Sequence, residues 1–314
     1  MIPEIEMPAH SNAALASYPL LACPVVDMLP ACAVVAIWSA IGYDAILLLS
    51  GIQNISKSYY EAASLDGATK IQQFFQITLP MVSPTLFVVL IMRLMAETGV
   101  PIRTMCLSGH RKYPLGSSDP ETCSRGMEIM EKAIRLAEDL GIRIIQLAGY
   151  DVYYDPSTPE TVERFGNNLE KAVHMAAKAG VTMGFETMET EFMNTVEKAM
   201  NYVNRVNSTY LNVYPDLGNI TNAAKTYGTQ VAGDLRTGKG HLVAMHLKET
   251  VPGKFREIPF GTGHVDFEEG IAVAWELGVR KFVTEFWYTG NTEWRADLAD
   301  ARGRMAAILD RQPE

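Results

Sequence analysis

The alternation of apolar and polar positions changes character near residue 97. Beyond it, short apolar runs at 102–108, 142–148, 181–186, 210–215, 241–247 and 281–287 are separated by longer stretches in which apolar residues return every three or four positions. Runs of that length, apolar on both faces, predict buried parallel strands, and the longer stretches predict amphipathic helices that cover them. SRGMEIMEKAIRLAEDLG and ETVERFGNNLEKAVHMAAKAG carry the clearest helical spacing, each closed by a glycine, the residue that most readily turns left-handed at a helix end. The pattern is a βα repeat of six units.

Six units are two short of a closed (β/α)8 barrel. A doubly wound open sheet is the competing architecture, but no GxGxxG turn follows the first strand. The polar residues that end four successive strands decide between the two. On a flat sheet they would spread over three strand spacings of about 4.8 Å each, whereas curvature brings them together. The expected fold is therefore α/β, an incomplete (β/α)8 TIM barrel with six recognisable βα units over residues 97–314.

Ahead of it the chain follows other rules. AVVAIWSAIGYDAILLLSGI (33–52) and SPTLFVVLIMRLMA (83–96) are almost free of charge. Residues 31–50 nearly reach the length of a membrane span, with Asp44 as the interior charge. The segment from Leu79 to Met95 is interrupted by Pro80 and Pro84 and carries Arg93 near its end. A pair of core helices in a soluble protein is the plainer alternative. The expected organisation is an unassigned arm at 1–29, a mostly helical segment at 30–96 and the barrel region at 97–314. Met1 to Pro30 offers no signal peptide, since its charged start is acidic and no small-residue cleavage site follows a compact apolar core. A cytoplasmic location is expected, with membrane association of the front segment as the alternative.

Composition narrows the function classes. The 314 residues include 27 Lys or Arg and 36 Asp or Glu, a formal charge of −9 with a pI near 5.3. No basic stripe is present to displace counterions from a phosphate backbone, so nucleic acid is excluded as a partner. Cys23, Cys32, Cys106 and Cys123 have neither CxxC nor zinc-ribbon spacing and are expected to be reduced thiols.

The candidate chemistry lies at the strand ends. VTMGFE, LNVYPD, HLVAMH and KFVTE close on Glu186, Asp216, His246 and Glu285, which are 30, 30 and 39 residues apart, about one strand-plus-helix repeat each time. Barrel active sites lie at the C-terminal mouth of the strands. Three carboxylates and one imidazole converging there would hold a hard or borderline divalent cation; manganese, cobalt, magnesium and zinc all suit the set. Singly, each residue has a plainer role. Asp216, just before Leu-Gly-Asn, could simply cap the next helix, and a lone His246 is more often a hydrogen-bonded core residue. The in-register set of four favours the metal site.

Two resemblances sharpen this. YYEAASLDGATKIQQFFQITLPMVSPT, from Tyr59 to Thr85, resembles the cytoplasmic loop of the permease subunits of bacterial sugar importers driven by ATP hydrolysis. Glu61, Ala62, Ala63, Asp66, Gly67 and Ala68 fill the signature positions, and Phe74, Ile77, Leu79 and Pro80 continue the pattern. The resemblance covers about 27–95 and implies a short helix that docks on an ATPase. Glu61 and Ala62 would lie near its start, Gly67 would end it, and a second helix would run from Ile71 to Ile77. Two spans are too few to enclose a transport pathway.

MCLSGHRKYPLGS (105–117), IRIIQLAGYDVYY (142–154), YPDLGN (214–219), HLVAMHLKET (241–250) and PFGTGHVDF (259–267) resemble the L-ribulose-5-phosphate 3-epimerases, also called L-xylulose-5-phosphate 3-epimerases, of bacterial ascorbate and pentose catabolism. These belong to the xylose-isomerase-like barrels. The resemblance runs from about Glu97 to the C-terminal region. It implies a metal-dependent isomerase that converts L-ribulose 5-phosphate to L-xylulose 5-phosphate through an enediolate. Glu186 and Glu285 would be the proton-transfer pair, and Glu186, Asp216, His246 and Glu285 the metal ligands. A homodimer is expected on the resemblance alone. Lys248, His110, Arg111, Asn219 and Gln146 are the candidates for contacts to phosphate and sugar oxygens, although Arg111 also fits an ordinary solvated loop. Gly149, Tyr150 and Asp151 are expected to line the mouth. Trp287 and Tyr288 could wall it, with core packing as the plainer role. Family members begin with two βα units whose place is here taken by the permease-like sequence, which implies an incomplete pocket, weakened activity and exposed edges on the first and last strands. The alternative identities are a truncated permease fragment with an ATPase contact, and a join between two neighbouring sugar-catabolism genes.

Overall fold

The computed structural model of the chain describes residues 44–313. The N-terminal arm and most of the first apolar segment lie outside the described residues. The chain divides into two compact units, Met1–Glu97 and Thr98–Glu314.

The described part of the front unit is helical: α1 over Asp44–Gln53, α2 over Lys57–Leu65 and α3 over Lys70–Thr98. Helix α2 starts four residues before Glu61 because Ser56 caps it, and it ends just before Gly67, whose φ of 78° turns the chain away. Thr69 then forms a capping box with Gln72 and starts α3. The expected break at Pro80 and Pro84 does not occur. After a π turn over Phe74–Thr78, the helix runs through Pro84 to Thr98. Proline at 84 cannot serve the Pro80 carbonyl, and the Ser83 hydroxyl donates to that oxygen instead, at 2.7 Å. Helix α3 is 29 residues long with a mean hydropathy of 1.9 in its most apolar window, long and apolar enough to cross a membrane. Its Arg93 pairs with Asp44 of α1 at 2.8 Å.

The second unit carries six strands: β1 Thr104–Cys106, β2 Ile144–Ala148, β3 Thr182–Glu186, β4 Leu211–Tyr214, β5 Met245–Leu247 and β6 Phe282–Thr284. Each lies within an apolar run of the sequence. Strands β1 to β4 pair in parallel and in chain order, as do β5 and β6. Parallel bridges Val213↔Leu242 and Asp216↔His246 join β4 to the β5 segment. The result is a TIM-barrel arc of six parallel strands. Helices α4 Pro120–Leu140, α5 Pro159–Lys178, α6 Val196–Val206, α7 Leu217–Tyr227, α8 Val231–Thr237, α9 Phe267–Glu276 and α10 Trp294–Leu309 cover it.

Capping side chains set where most helices begin. Asp119, Thr158, Thr195, Asp216 and Asp266 each accept a backbone N–H of the first turn of the helix they precede. Between strands and helices the core is apolar: Ile145, Met183, Phe185, Leu211, Val213, Met245 and Leu247 are buried from the strands, against Met130, Leu169, Val203 and Ile271 from the helices. Each such side chain contributes about 1.5–3 kcal/mol by leaving water. That packing fixes the strand ends, and with them the site.

Candidate active site

Four strand ends deliver the polar set. Glu186 is the last residue of β3, His246 is central in β5, Glu285 follows β6, and Asp216 stands two residues after β4 at the cap of α7. His246 Nδ1 lies 2.6 Å from Glu285 Oε2, 3.4 Å from Glu186 Oε1 and 3.8 Å from Asp216 Oδ2. One donor atom from each of the four residues lies within 4.8 Å of the others. A flat sheet would have spread these groups across about 14 Å, so the curvature of the arc makes the cluster.

The donor atoms approach without satisfying one another. Asp216 Oδ2, His246 Nδ1 and Glu285 Oε2 are buried, and their close approaches lack the alignment of good hydrogen bonds. Buried polar atoms are rarely left so. The groups are directed at a shared centre, and an O3N donor set around it suits a divalent cation. Charge supports the same fit: three carboxylates, a neutral imidazole, one ammonium from Lys248 and one divalent ion sum to zero.

Asp216 serves two purposes. Its Oδ1 accepts the Asn219 N–H at 2.8 Å as the helix cap, and its Oδ2 faces the cluster, 3.0 Å from Lys248 Nζ. Full burial pushes its carboxyl up to about 6 against the pull of the Lys248 ammonium. For His246, burial acts downward, but the Glu186 and Glu285 carboxylates beside it outweigh that and raise it to about 10. Glu285 is driven upward by burial and downward by His246 and Lys248, with a net lowering. The Lys248 ammonium loses solvation by burial but is held charged by Asp216, Glu285 and Glu186, and its pKa is raised.

Around the cluster is a cleft of about 490 Å³. Gln146 lines it and donates from Nε2 to Glu186 Oε2 at 2.5 Å. Lys248 lines it too, 5.7 Å from the centre of the Trp287 ring. Arg111 stands on the wall, 4.9 Å over the Tyr153 ring, with its buried Nε unpartnered. Three expectations are corrected. His110 does not line the cleft: it points inward, with Nε2 3.0 Å from the Gly126 carbonyl, and burial lowers its pKa. Asn219 lies beneath the site, its Nδ2 donating to the Thr187 carbonyl at 2.7 Å. Gly149, Tyr150 and Asp151 do not line the cleft either; Asp151 accepts from Ser157 Oγ and Thr161 Oγ1 and fixes the following turn. Of the two aromatics, Trp287 lines the cleft while Tyr288 is 71% exposed.

Other lining residues escaped sequence reasoning. Arg256 and Glu189 face the cleft as an ion pair of 2.6 Å, and Cys106 and Tyr214 complete the floor. The Cys106 thiol is solvent-accessible yet pushed up to about 11 by its partial enclosure and by Glu186 and Glu285. Glu189, three residues after Glu186, could have been suspected from that spacing. Arg256 lies in a long loop where no periodicity signals direction.

Comparison with known proteins gives a consistent picture. The profile of the xylose isomerase-like TIM barrel family matches residues 38–306. The L-ribulose-5-phosphate 3-epimerase UlaE of Salmonella paratyphi C (strain RKS4594) is 43% identical over 215 residues, which are 68% of this chain and 74% of the relative. That of Escherichia coli O139:H28 is 42% identical over 214 residues, with the same coverage. Among solved structures, a D-tagatose 3-epimerase-like protein superposes with a TM-score of 0.61 at 17% identity, covering 71% of this chain and 82% of its own. An L-ribulose 3-epimerase gives a TM-score of 0.56 at 19% identity, covering 70% and 78%.

Proposed function

Because the chain belongs to the xylose isomerase-like TIM barrel family, we propose that it is a sugar-phosphate 3-epimerase that interconverts L-ribulose 5-phosphate and L-xylulose 5-phosphate at the Glu186–Asp216–His246–Glu285 cluster. The observation that carries this reading is the convergence of two carboxylates, from β3 and β6, on one centre with an imidazole and a third carboxylate between them. Inversion at a carbon beside a ketone requires one base to remove the proton on one face and one acid to return a proton on the other. Glu186 and Glu285 come from opposite ends of the four-strand set and are suited to the two faces. In one direction ionised Glu186 takes the proton from C3, leaving an enediolate, and Glu285 in its protonated form gives its proton to the other face; in reverse protonated Glu186 donates and ionised Glu285 accepts.

The remaining residues hold these groups in place. Gln146 clamps Glu186 Oε2 and leaves Oε1 directed at the cluster. Lys248 keeps Asp216 ionised and, from the cleft wall, adds positive charge near the developing enediolate. A divalent cation held by the four ligands would act as a Lewis acid on the substrate's ketone and neighbouring hydroxyl. With His110 turned inward and Lys248 engaged by Asp216, Arg111 is the candidate for the substrate's phosphate.

The test is the purified full chain, loaded with manganese, incubated with L-ribulose 5-phosphate and followed by NMR. Metal-dependent appearance of L-xylulose 5-phosphate, lost in Glu186→Gln and in Glu285→Gln, supports the reading. Unchanged substrate, with metal bound at the site, refutes it. For the front unit a second reading has its own support in the length and apolarity of α3: a permease-derived segment that inserts into a membrane. Carbonate extraction of membranes from expressing cells tests it, and release of the chain into the supernatant would exclude it.

A further inference from the structure

With Glu186, Asp216, His246 and Glu285 read as a cation site, we propose that Arg256 and Glu189 form a latch across the C-terminal end of β4, one that must part before a cation enters or leaves the cluster. The first observation is topological. Glu189 stands in the turn after β3 and Arg256 in the loop after β5, and β4 lies between those strands, paired with β3 and bridged to the β5 segment. The two side chains nevertheless meet at 2.6 Å, and both line the cleft. Their ion pair therefore spans the end of β4 on the cleft side, where Asp216 stands.

The second is that each arm is held in place. After β3, the Met188 N–H donates to the Met193 carbonyl at 2.8 Å and closes the turn that carries Glu189. After β5, buried Glu249 gathers the N–H groups of Thr250, Gly261 and Val265, and Asn222 Oδ1 takes that of Gly253 at 2.9 Å. These bonds pin the two ends of the loop and leave the stretch around Arg256 to reach across. Glu257, next in the chain, has a φ of 60°, a left-handed backbone that residues other than glycine hold only where the surroundings impose it. The imposed conformation adjoins the latch residue.

The third is what the pair touches and how strongly it holds. The Arg256 guanidinium and the Lys248 ammonium lie over one ring, 5.9 Å and 5.7 Å from the centre of Trp287, and Lys248 reaches on to Asp216 at 3.0 Å. On the other arm the Tyr153 hydroxyl approaches the same Glu189 oxygen at 3.5 Å. The Arg256 side chain is 41% exposed and that of Glu189 22%. A pair so accessible to water contributes modestly and weakens with salt. A deeply buried pair would lock the loop shut, whereas one of this strength opens readily, as a gate must.

Release of manganese from the full chain into excess EDTA, followed by water-proton relaxation, tests the latch without using catalysis. Glu189→Gln and Arg256→Met should each hasten release about two- to fivefold, the effect expected of a partly exposed ion pair. The double variant should be no faster than either alone, because the second change breaks nothing further. Charge without a latch predicts a different pattern: losing the arginine leaves the cluster more negative and slows release, while losing the carboxylate hastens it. Added potassium chloride should hasten release from the parent more than from the double variant. The proposal is overturned by single variants that shift release in opposite directions, by release unchanged in both, by effects that add in the double variant, or by equal salt responses. A parent that takes up no manganese refutes the cation site and the latch together. Manganese that binds and leaves all variants at the parent's rate refutes the latch alone.

Discussion

Replacing Gly218 by alanine should damage the site without touching a ligand. A Cβ at this position would lie 2.6 Å from the Lys248 carbonyl oxygen and 2.7 Å from Thr250 Cγ2. One of those neighbours is backbone and cannot rotate away. Ordinary van der Waals separation requires the two segments to part by roughly 0.8 Å. Gly218 follows Asp216 by two residues and Lys248 follows His246 by two, so the displacement falls between segments that carry two of the four proposed ligands. Metal–ligand distances tolerate only about 0.2 Å. Gly218→Ala should therefore lower the stability of the metal-free chain by about 1–3 kcal/mol through overpacking. It should also weaken manganese binding by about 10- to 100-fold, the usual cost of disturbing a ligand's support. Urea unfolding measures the first and titration calorimetry the second. Gly233→Ala in α8 is the control, since its Cβ would meet nothing within 4 Å, and there a gain of about 0.4–1 kcal/mol is expected. A Gly218→Ala variant that binds manganese within twofold of the parent would refute the argument.

Other consequences follow from the same geometry. Lys248→Met leaves Asp216 as a buried charge without its 3.0 Å partner; urea unfolding of the metal-free chain should show a loss of about 3–5 kcal/mol, most of it recovered in Lys248→Met/Asp216→Asn. Burial holds His110 below its ordinary value of 6.5, so the native state favours the neutral ring while the unfolded chain takes up a proton near that pH. Its contribution to stability is fully present above pH 6.5 and is lost as pH falls below it, a slope that urea unfolding at several pH values should find reduced in His110→Gln. Removing residues 1–97 discards α3 and its exposed Phe74, Phe75, Phe87 and Leu90, and sedimentation should show a larger soluble fraction than for the full chain.

What could be read from the sequence depended on periodicity. The six strands and the residues that end four of them were legible because each apolar run stops at a polar side chain, and in a parallel arc those stops share one end. Direction within turns was not legible. His110 and Arg111 are neighbours in the turn over Ser108–Arg111, yet one points at the Gly126 carbonyl and the other at the cleft. Asp216 presented a choice between helix cap and ligand; its Oδ1 caps α7, which leaves Oδ2 facing the cluster. Arg256 reaches the cleft from a loop that Glu249 ties down by accepting the N–H groups of Thr250, Gly261 and Val265. Nothing in the spacing of that loop points to it. Pro84 misled for a local reason, since a proline predicts a break unless a neighbour such as Ser83 can satisfy the freed carbonyl.

The central claim is that Glu186 and Glu285 exchange the proton at C3 of the bound ketose. Incubating the manganese-loaded chain with L-ribulose 5-phosphate in D2O, and following the C3 proton by NMR, tests this even where net turnover is slow. The account predicts metal-dependent deuterium incorporation at C3, abolished in Glu186→Gln and in Glu285→Gln. Retention of protium at C3 in the metal-loaded parent, or incorporation that survives in both variants, would contradict it.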